Sequence, residues 1–391
     1  MKQVYALCFI LLSCLLVSGC WDRTEVNDLA LATGLGLDMK DDDTIEITIE
    51  MHIPKLMGAE SGGGGDAPVT MVRSGDGRTI AEAIARLNER IPRRVFWGHL
   101  KAIIFGEQFA KTGIRETVDF LVRHPQPRLR AKVFVAKGTA KEILELQPPL
   151  ERSQTEVLRE LANSEVLLNI TLKELLQMLS GDAQTAALPM ITKLPVEKGL
   201  KPLQTIGYVN QTAIFKKDKM VATIGEKLTR GVLWFRNEIQ VSTVTVQPKE
   251  AQGYISLLLI DADSQLIPRI ENGKWKMTIK AVLEDDAVLN GTTFSLMDPT
   301  FVKSLEETVE EELQKRLKQT LDKVQKDFKT DILGFAEAFH RKYPKEWQKV
   351  RKNWEDTFAS VEVDFDIKAY VRRPGLASTP QGIPKDEVKT P

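Results

Sequence analysis

Residues 298–328 read DPTFVKSLEETVEEELQKRLKQTLDKVQKDF, and this stretch decides the fold of the C-terminal half. Asp298 is a good N-cap, because its carboxylate accepts from the free N–H groups of a first helical turn, and Pro299 suits the first helical position. Val302, Leu305, Val309, Leu313, Leu317, Leu321, Val324 and Phe328 follow at spacings of 3, 4, 4, 4, 4, 3 and 4. One narrow apolar stripe, with Glu and Lys elsewhere, predicts a helix about 40 Å long lying across a sheet. The sheet is written on either side of it. Trp275, Met277, Ile279, Ala281 and Leu283 alternate with polar positions, as do Val361, Val363, Phe365, Ile367 and Ala369. Residues 212–215 and 220–224 flank 216–219 as a hairpin, and 238–247 and 254–260 read as further strands. Residues 203–373 are therefore expected to form a C-terminal domain, an antiparallel sheet packed on a long helix. Glu284-Asp285-Asp286 reads as a short turn whose carboxylates face water rather than a calcium site.

Working towards the N-terminus, Pro148-Pro149 and Pro202 bracket a stretch of different character. Residues 155–161 and 171–180 read as helices, the second opened by a Thr171/Glu174 capping box, and Pro189, Pro195 and Pro202 then punctuate an extended segment. Residues 148–202 are thus expected to be a mainly helical middle domain. Before it, residues 20–147 interleave strand and helix patterns, which predicts a mixed α/β domain. Ile45, Ile47, Ile49, Met51 and Ile53 alternate as one half-buried strand, while 99–105 and 131–137 read as others. Helices are expected over 79–91 and 114–123, with a shorter one ending at 146. Residues 21–43 read as a mixed lead-in segment, and the four glycines within 61–66 as a linker. The fold class is α+β, built of successive mixed α/β domains. From 374 to 391 the Pro/Gly/Thr-rich sequence has nothing to bury and is expected to be a disordered tail.

The other end of the chain speaks to location. Lys2 precedes an apolar run over 4–17, which closes in Val17-Ser18-Gly19-Cys20. This is the layout of a secretory signal over residues 1–19, too short to span a membrane comfortably, with Cys20 placed to receive a diacylglyceryl group after cleavage. Cys8 and Cys14 lie inside the segment to be removed, so the mature chain is left without a free thiol or a disulfide. Over the full sequence 54 Lys and Arg balance 54 Asp and Glu, so no global field favours nucleic acid.

The search for chemistry is negative. Four histidines (His52, His99, His124 and His340) show no zinc-ligand spacing, and there is no nucleophile elbow, phosphate loop or dinucleotide fingerprint. No catalytic, metal or cofactor residue is assigned, and the protein reads as non-enzymatic. The densest polar-aromatic cluster is Arg93, Arg94, Trp97 and His99, a candidate contact for a partner's carboxylate or another anion.

Gly19-Cys20-Trp21-Asp22-Arg23-Thr24-Glu25, Asn27-Asp28-Leu29-Ala30 and the segment 34–38 resemble the start of the Ger(x)C family, the C-subunit lipoproteins of spore germinant receptors. The resemblance continues through Gly98-His99-Leu100-Lys101, 103–106, 123–138 and the long-helix domain, and so spans the mature chain. It implies a role and not a reaction: a lipid-anchored subunit on the outer face of the spore inner membrane. Its implied partners are an integral-membrane A subunit and a transporter-like B subunit, which together trigger germination on meeting a nutrient. Only Cys20 carries over as a functional residue, the lipidated cysteine; nothing in the resemblance assigns nutrient contact. The alternative is a solute-binding lipoprotein of a transporter, also anchored through its first cysteine. Such a protein normally shows two lobes of repeated strand–helix units, which the strand-rich second half fits poorly.

Overall fold

The computed structural model describes residues 28–53, 69–164 and 167–373, together with positions 3, 25, 380–382, 384, 387 and 388. The signal segment, Cys20, the four-glycine linker and most of the expected tail lie outside the described residues.

A nine-stranded sheet organises residues 29–225. Its strands are β1 (Leu29–Asp41), β2 (Thr44–His52), β3 (Thr70–Gly77), β4 (Arg94–Phe96), β5 (Ala102–Gly106), β6 (Lys132–Ala136), β7 (Thr185–Lys193), β8 (Gly207–Lys216) and β9 (Lys219–Gly225). They run in the order β3-β2-β1-β5-β6-β7-β8-β9, with the short β4 beside the start of β1. The central strands β1, β5, β6 and β7 are parallel, and the flanks are antiparallel hairpins. Helices cover both faces, as a parallel run requires. Those of this half are α1 (Ile80–Glu89), α2 (Glu107–Thr112), α3 (Arg115–Arg123), α4 (Ala140–Leu144), α5 (Gln154–Asn163), α6 (Leu172–Ser180) and α7 (Glu226–Phe235). Alternate residues divide between two cores: Ala102, Ile104, Phe134 and Ala136 join α4 and α5, while Ile103, Phe105, Val133 and Val135 join α1, α2, α3 and α6.

Three expectations need correction here. The lead-in segment is β1, a strand at the heart of the sheet. It is buried on both faces, so the period of two that would announce it is missing. The helical middle is not a separate body, since α5 packs on the first sheet and β7 enters it. Pro189 sits within β7; β6 pairs with that strand only through Met190 and Ile191, so the missing N–H of Pro189 costs no bond to β6. The boundary at 202/203 moves for the same reason. The expected hairpin forms as β8–β9, but it extends the first sheet rather than opening the second.

The second sheet holds β10 (Thr243–Val246), β11 (Ile255–Glu271), β12 (Lys274–Asn290) and β13 (Glu362–Arg373) in that order. Its first three strands are antiparallel, and β13 closes it parallel to β12. β11 and β12 are 17 residues each and turn through Asn272-Gly273, both at positive φ, the geometry a tight hairpin demands. The long helix is α8 (Pro299–Asp322), capped as expected: Asp298 Oδ1 accepts from Thr300 N at 2.8 Å and Phe301 N at 3.1 Å. Its stripe of Leu305, Val309, Leu313, Leu317 and Leu321 is buried. The stripe then passes into a π-helical turn over Lys323–Asp327, which brings Gln325 inward to donate to Phe358 O at 2.6 Å and Val361 O at 2.8 Å. Three short helices, α9 (Phe335–Lys342), α10 (Pro344–Val350) and α11 (Trp354–Ser360), lead back to β13. Their aromatic side chains build one cluster, with Trp275 and Phe339 4.6 Å apart and Trp347 and Trp354 4.8 Å apart between ring centroids.

Candidate functional site

The leading end of the first sheet collects the residues singled out by sequence. Leu29 at the start of β1 is the register partner of Arg94, Gly34 of Ala102, and Ala102 of Lys132. Parallel pairing thus brings the starts of β1, β4, β5 and β6 to one end, and the loops feeding them carry the basic residues. Arg93 and Arg94 line a cleft of about 420 Å³ with Trp97, His124 and Gln126. Trp97 itself is buried, its ring set edge-on to His124, while its backbone N–H donates to Gln126 Oε1 at 3.1 Å. His99 lines a second cleft of about 500 Å³ with Lys101, Arg130, Lys132 and Arg159. The expected cluster is therefore split: Trp97 is core, and His99 serves a different cleft from the arginines.

Behind the His99 cleft stands a buried polar knot. Glu50 on β2 is fully buried and accepts from the hydroxyls of Thr33 and Thr155, the latter at the start of α5. Burial raises its pKa against the pull of those two hydroxyls. His52, two residues on, has its pKa lowered by burial and by Lys101. Lys101 is paired with Glu156, which also accepts from Arg159 Nε at 2.9 Å.

A larger cleft, about 620 Å³, lies between the two sheets. Arg236, Asn237 and Glu238 form one wall, and Ser264, Asp331 and Glu337 are among the residues facing them. Asn237 adopts φ 54 and fixes β11 by accepting from Ser264 N at 2.8 Å. Arg236 is already paired with Glu238 at 2.8 Å. Glu337 has its pKa raised by burial and then by the charge of Asp331. Asp331, buried throughout, accepts from the backbone N–H groups of Leu333, Gly334, Phe335 and Ala336 and from Trp354 Nε1. It holds α9 in place and is a structural group. Across the same region Asp182 and His340 meet at 2.6 Å.

Known families match both halves. Residues 22–193 match the family described as spore germination protein N-terminal domain, and residues 210–375 the one described as spore germination B3/GerAC like, C-terminal. The chain belongs to the germinant-receptor C-subunit family. Among the relatives of this family member are two proteins of Bacillus subtilis. Spore germination protein KC is 26% identical over 391 residues, covering 95% of this chain and 96% of that one. The putative spore germination protein YfkR is 28% identical over 371 residues, covering 93% and 94%. The crystal structure of the GerBC protein superposes with a TM-score of 0.57 at 19% identity, covering 90% of this chain and 99% of that one, and shows the same fold.

In this family member, no group of three or more His, Cys, Asp or Glu side chains that would hold a metal ion occurs among the described residues. None of the described helices is long and apolar enough to cross a membrane. Sequence reasoning missed Asp331 and read Asp285 as facing water. Asp285 lies not in a turn but in β12, which runs on to Asn290. It continues the inward series of Met277, Ile279, Ala281 and Leu283, so extending that alternation by one step would have found it. Buried to 1% exposure, its oxygens accept no hydrogen bond from the described residues, and burial pushes its pKa up to about 6. Asp331 stands immediately ahead of an apolar helical run, the position of a capping side chain.

Proposed function

We propose that this protein is the lipid-anchored C subunit of a nutrient germinant receptor, held through Cys20 on the outer face of the spore inner membrane. It works without catalysis, through contacts with an integral-membrane A subunit and a transporter-like B subunit. The observation that carries this reading is the family match over both halves, beginning at residue 22, directly behind Cys20. Two features support it. Cys20 ends the apolar run of 4–17 where a diacylglyceryl group would be attached, and two acyl chains hold a protein at a membrane where one does not. Two of the charged side chains that line the clefts are already paired within the chain, Arg236 with Glu238 and Lys101 with Glu156, an arrangement that suits a scaffold better than an acid–base centre. A transporter's solute-binding lipoprotein fits less well, because the second sheet is built around a long antiparallel hairpin and not around repeated strand–helix units.

Deleting the chain from the spore-forming cell tests the role. Spores without it should fail to respond to at least one nutrient and recover when wild-type protein is restored. Unchanged responses to every nutrient tested would contradict the proposal.

A further inference from the structure

The charge of this chain sums to zero, yet two segments at the leading end of the first sheet are wholly basic in their charged residues. Residues 93–101 and 123–132, the loops that feed β4, β5 and β6, contain Arg93, Arg94, Lys101, Arg123, Arg128, Arg130 and Lys132 and no Asp or Glu. Of these, only Lys101 and Arg123 form ion pairs among the described residues, with Glu156 and Asp119. Arg94, Arg128 and Arg130 are exposed. Between the last two, Leu129 is 45% exposed, and its carbonyl accepts from Lys173 N at 3.0 Å, which fixes the tip. A fixed apolar tip flanked by two arginines is the composition that settles at a lipid–water boundary.

The register ties this face to the anchor. Leu29 lies against Arg94, and Cys20 is nine positions earlier, at most about 32 Å of chain. We propose that the leading end of the first sheet docks on the anionic phospholipid headgroups of the membrane. Resting on the reading of Cys20 as the lipid anchor, the proposal adds a second, electrostatic attachment that sets which end of the protein faces the bilayer. The chemistry recognised is the headgroup phosphate, which a guanidinium meets with two parallel hydrogen bonds. Such a contact is local and salt-sensitive, because the field of exposed charges decays within about 8 Å at physiological ionic strength.

The test uses the full lipidated protein on vesicles of phosphatidylcholine alone and on vesicles with added phosphatidylglycerol, read by amide hydrogen exchange. The proposal expects 93–101 and 128–132 to exchange more slowly on the anionic vesicles only, and high salt to remove the difference. Each Lys or Arg near an anionic surface is worth about fivefold in association. The combined variant Arg93→Gln, Arg94→Gln, Arg128→Gln and Arg130→Gln should therefore lose the protection, with exchange in β5 unchanged as the sign of an intact fold. Equal exchange on the two kinds of vesicle would overturn the docking face. So would protection reproduced by inorganic phosphate without vesicles, or protection seen only with other receptor subunits present. Release from neutral vesicles at high salt reads separately, since it contradicts the lipid anchor and not the basic face.

Discussion

The carboxylate of Asp331 accepts the indole N–H of Trp354 at 3.0 Å while also receiving four backbone N–H groups from the start of α9. One fully buried side chain thus joins the cap of one helix to the first residue of α11. The aromatic cluster of Phe339, Trp347 and Trp354 is assembled around that joint. Replacing Asp331 with Ala leaves several buried donors without an acceptor, and is expected to cost about 3–5 kcal/mol of stability. Trp354→Phe keeps most of the ring packing and loses one bond to a charged acceptor, so about 1–3 kcal/mol is expected. Denaturant unfolding of both variants checks the ranking; a smaller loss for Asp331→Ala than for Trp354→Phe would contradict it.

Asp285 predicts a pH dependence. Its folded carboxyl titrates at about 6 against the ordinary 3.8, so between those values the native state binds the proton more tightly than the unfolded chain. Its contribution to stability is present in full below pH 3.8, falls as pH rises through about 6, and stays lost above that. Asp285→Asn removes the buried charge while keeping the shape. The variant should therefore gain about 1–3 kcal/mol at neutral pH and little near pH 4. Thermal melts of both proteins across this range would show the two curves converging in acid. A constant offset at every pH would contradict the assignment.

Gly34 sits where α4 and α5 press on β1. A Cβ there would lie 2.5 Å from Thr155 Cγ2 and 2.8 Å from Leu144 Cδ2. Gly34→Ala must push both helices off the sheet and is expected to destabilise by about 1–3 kcal/mol. The same shift would disturb the hydroxyls that hold Glu50. Equilibrium unfolding gives the number, and a neutral substitution would show that this face packs more loosely than the distances imply.

Glu306 and Glu310 guard an open edge. From the polar side of α8, Glu310 Oε1 accepts from Ala369 N at 3.1 Å and Glu306 Oε1 from Val371 N at 2.9 Å, both on the outermost strand β13. Changing both to Ala frees two edge donors and is expected to cost about 2 kcal/mol. Exposed edge strands also template association, so light scattering should rise on storage. A double variant as stable and as monodisperse as the parent would contradict the guarding role.

Legibility in the sequence followed periodicity. α8 and the first half of β12 were readable because each buries one face, so the 3.6 or 2.0 period stands out against charged neighbours. β1 was not, since both its faces are covered, by α4 and α5 on one side and the larger core on the other. The full length of β11 was missed although Asn272-Gly273 marks its turn, because Asp261, Asp263 and Ser264 interrupt the apolar run. The basic loops were visible as residues, but only the parallel register of β1, β4, β5 and β6 shows that 93–101 and 128–132 meet at one end. Pairing across a long sequence separation is set by the whole sheet, and no local pattern encodes it.

The central claim is tested most directly by purifying the tagged, lipidated protein from spore membranes and identifying what accompanies it. The account predicts recovery with a multi-span transporter-like protein and a second integral-membrane subunit. Recovery alone, or with a nucleotide-driven transporter, would contradict the receptor role and favour a solute-binding lipoprotein.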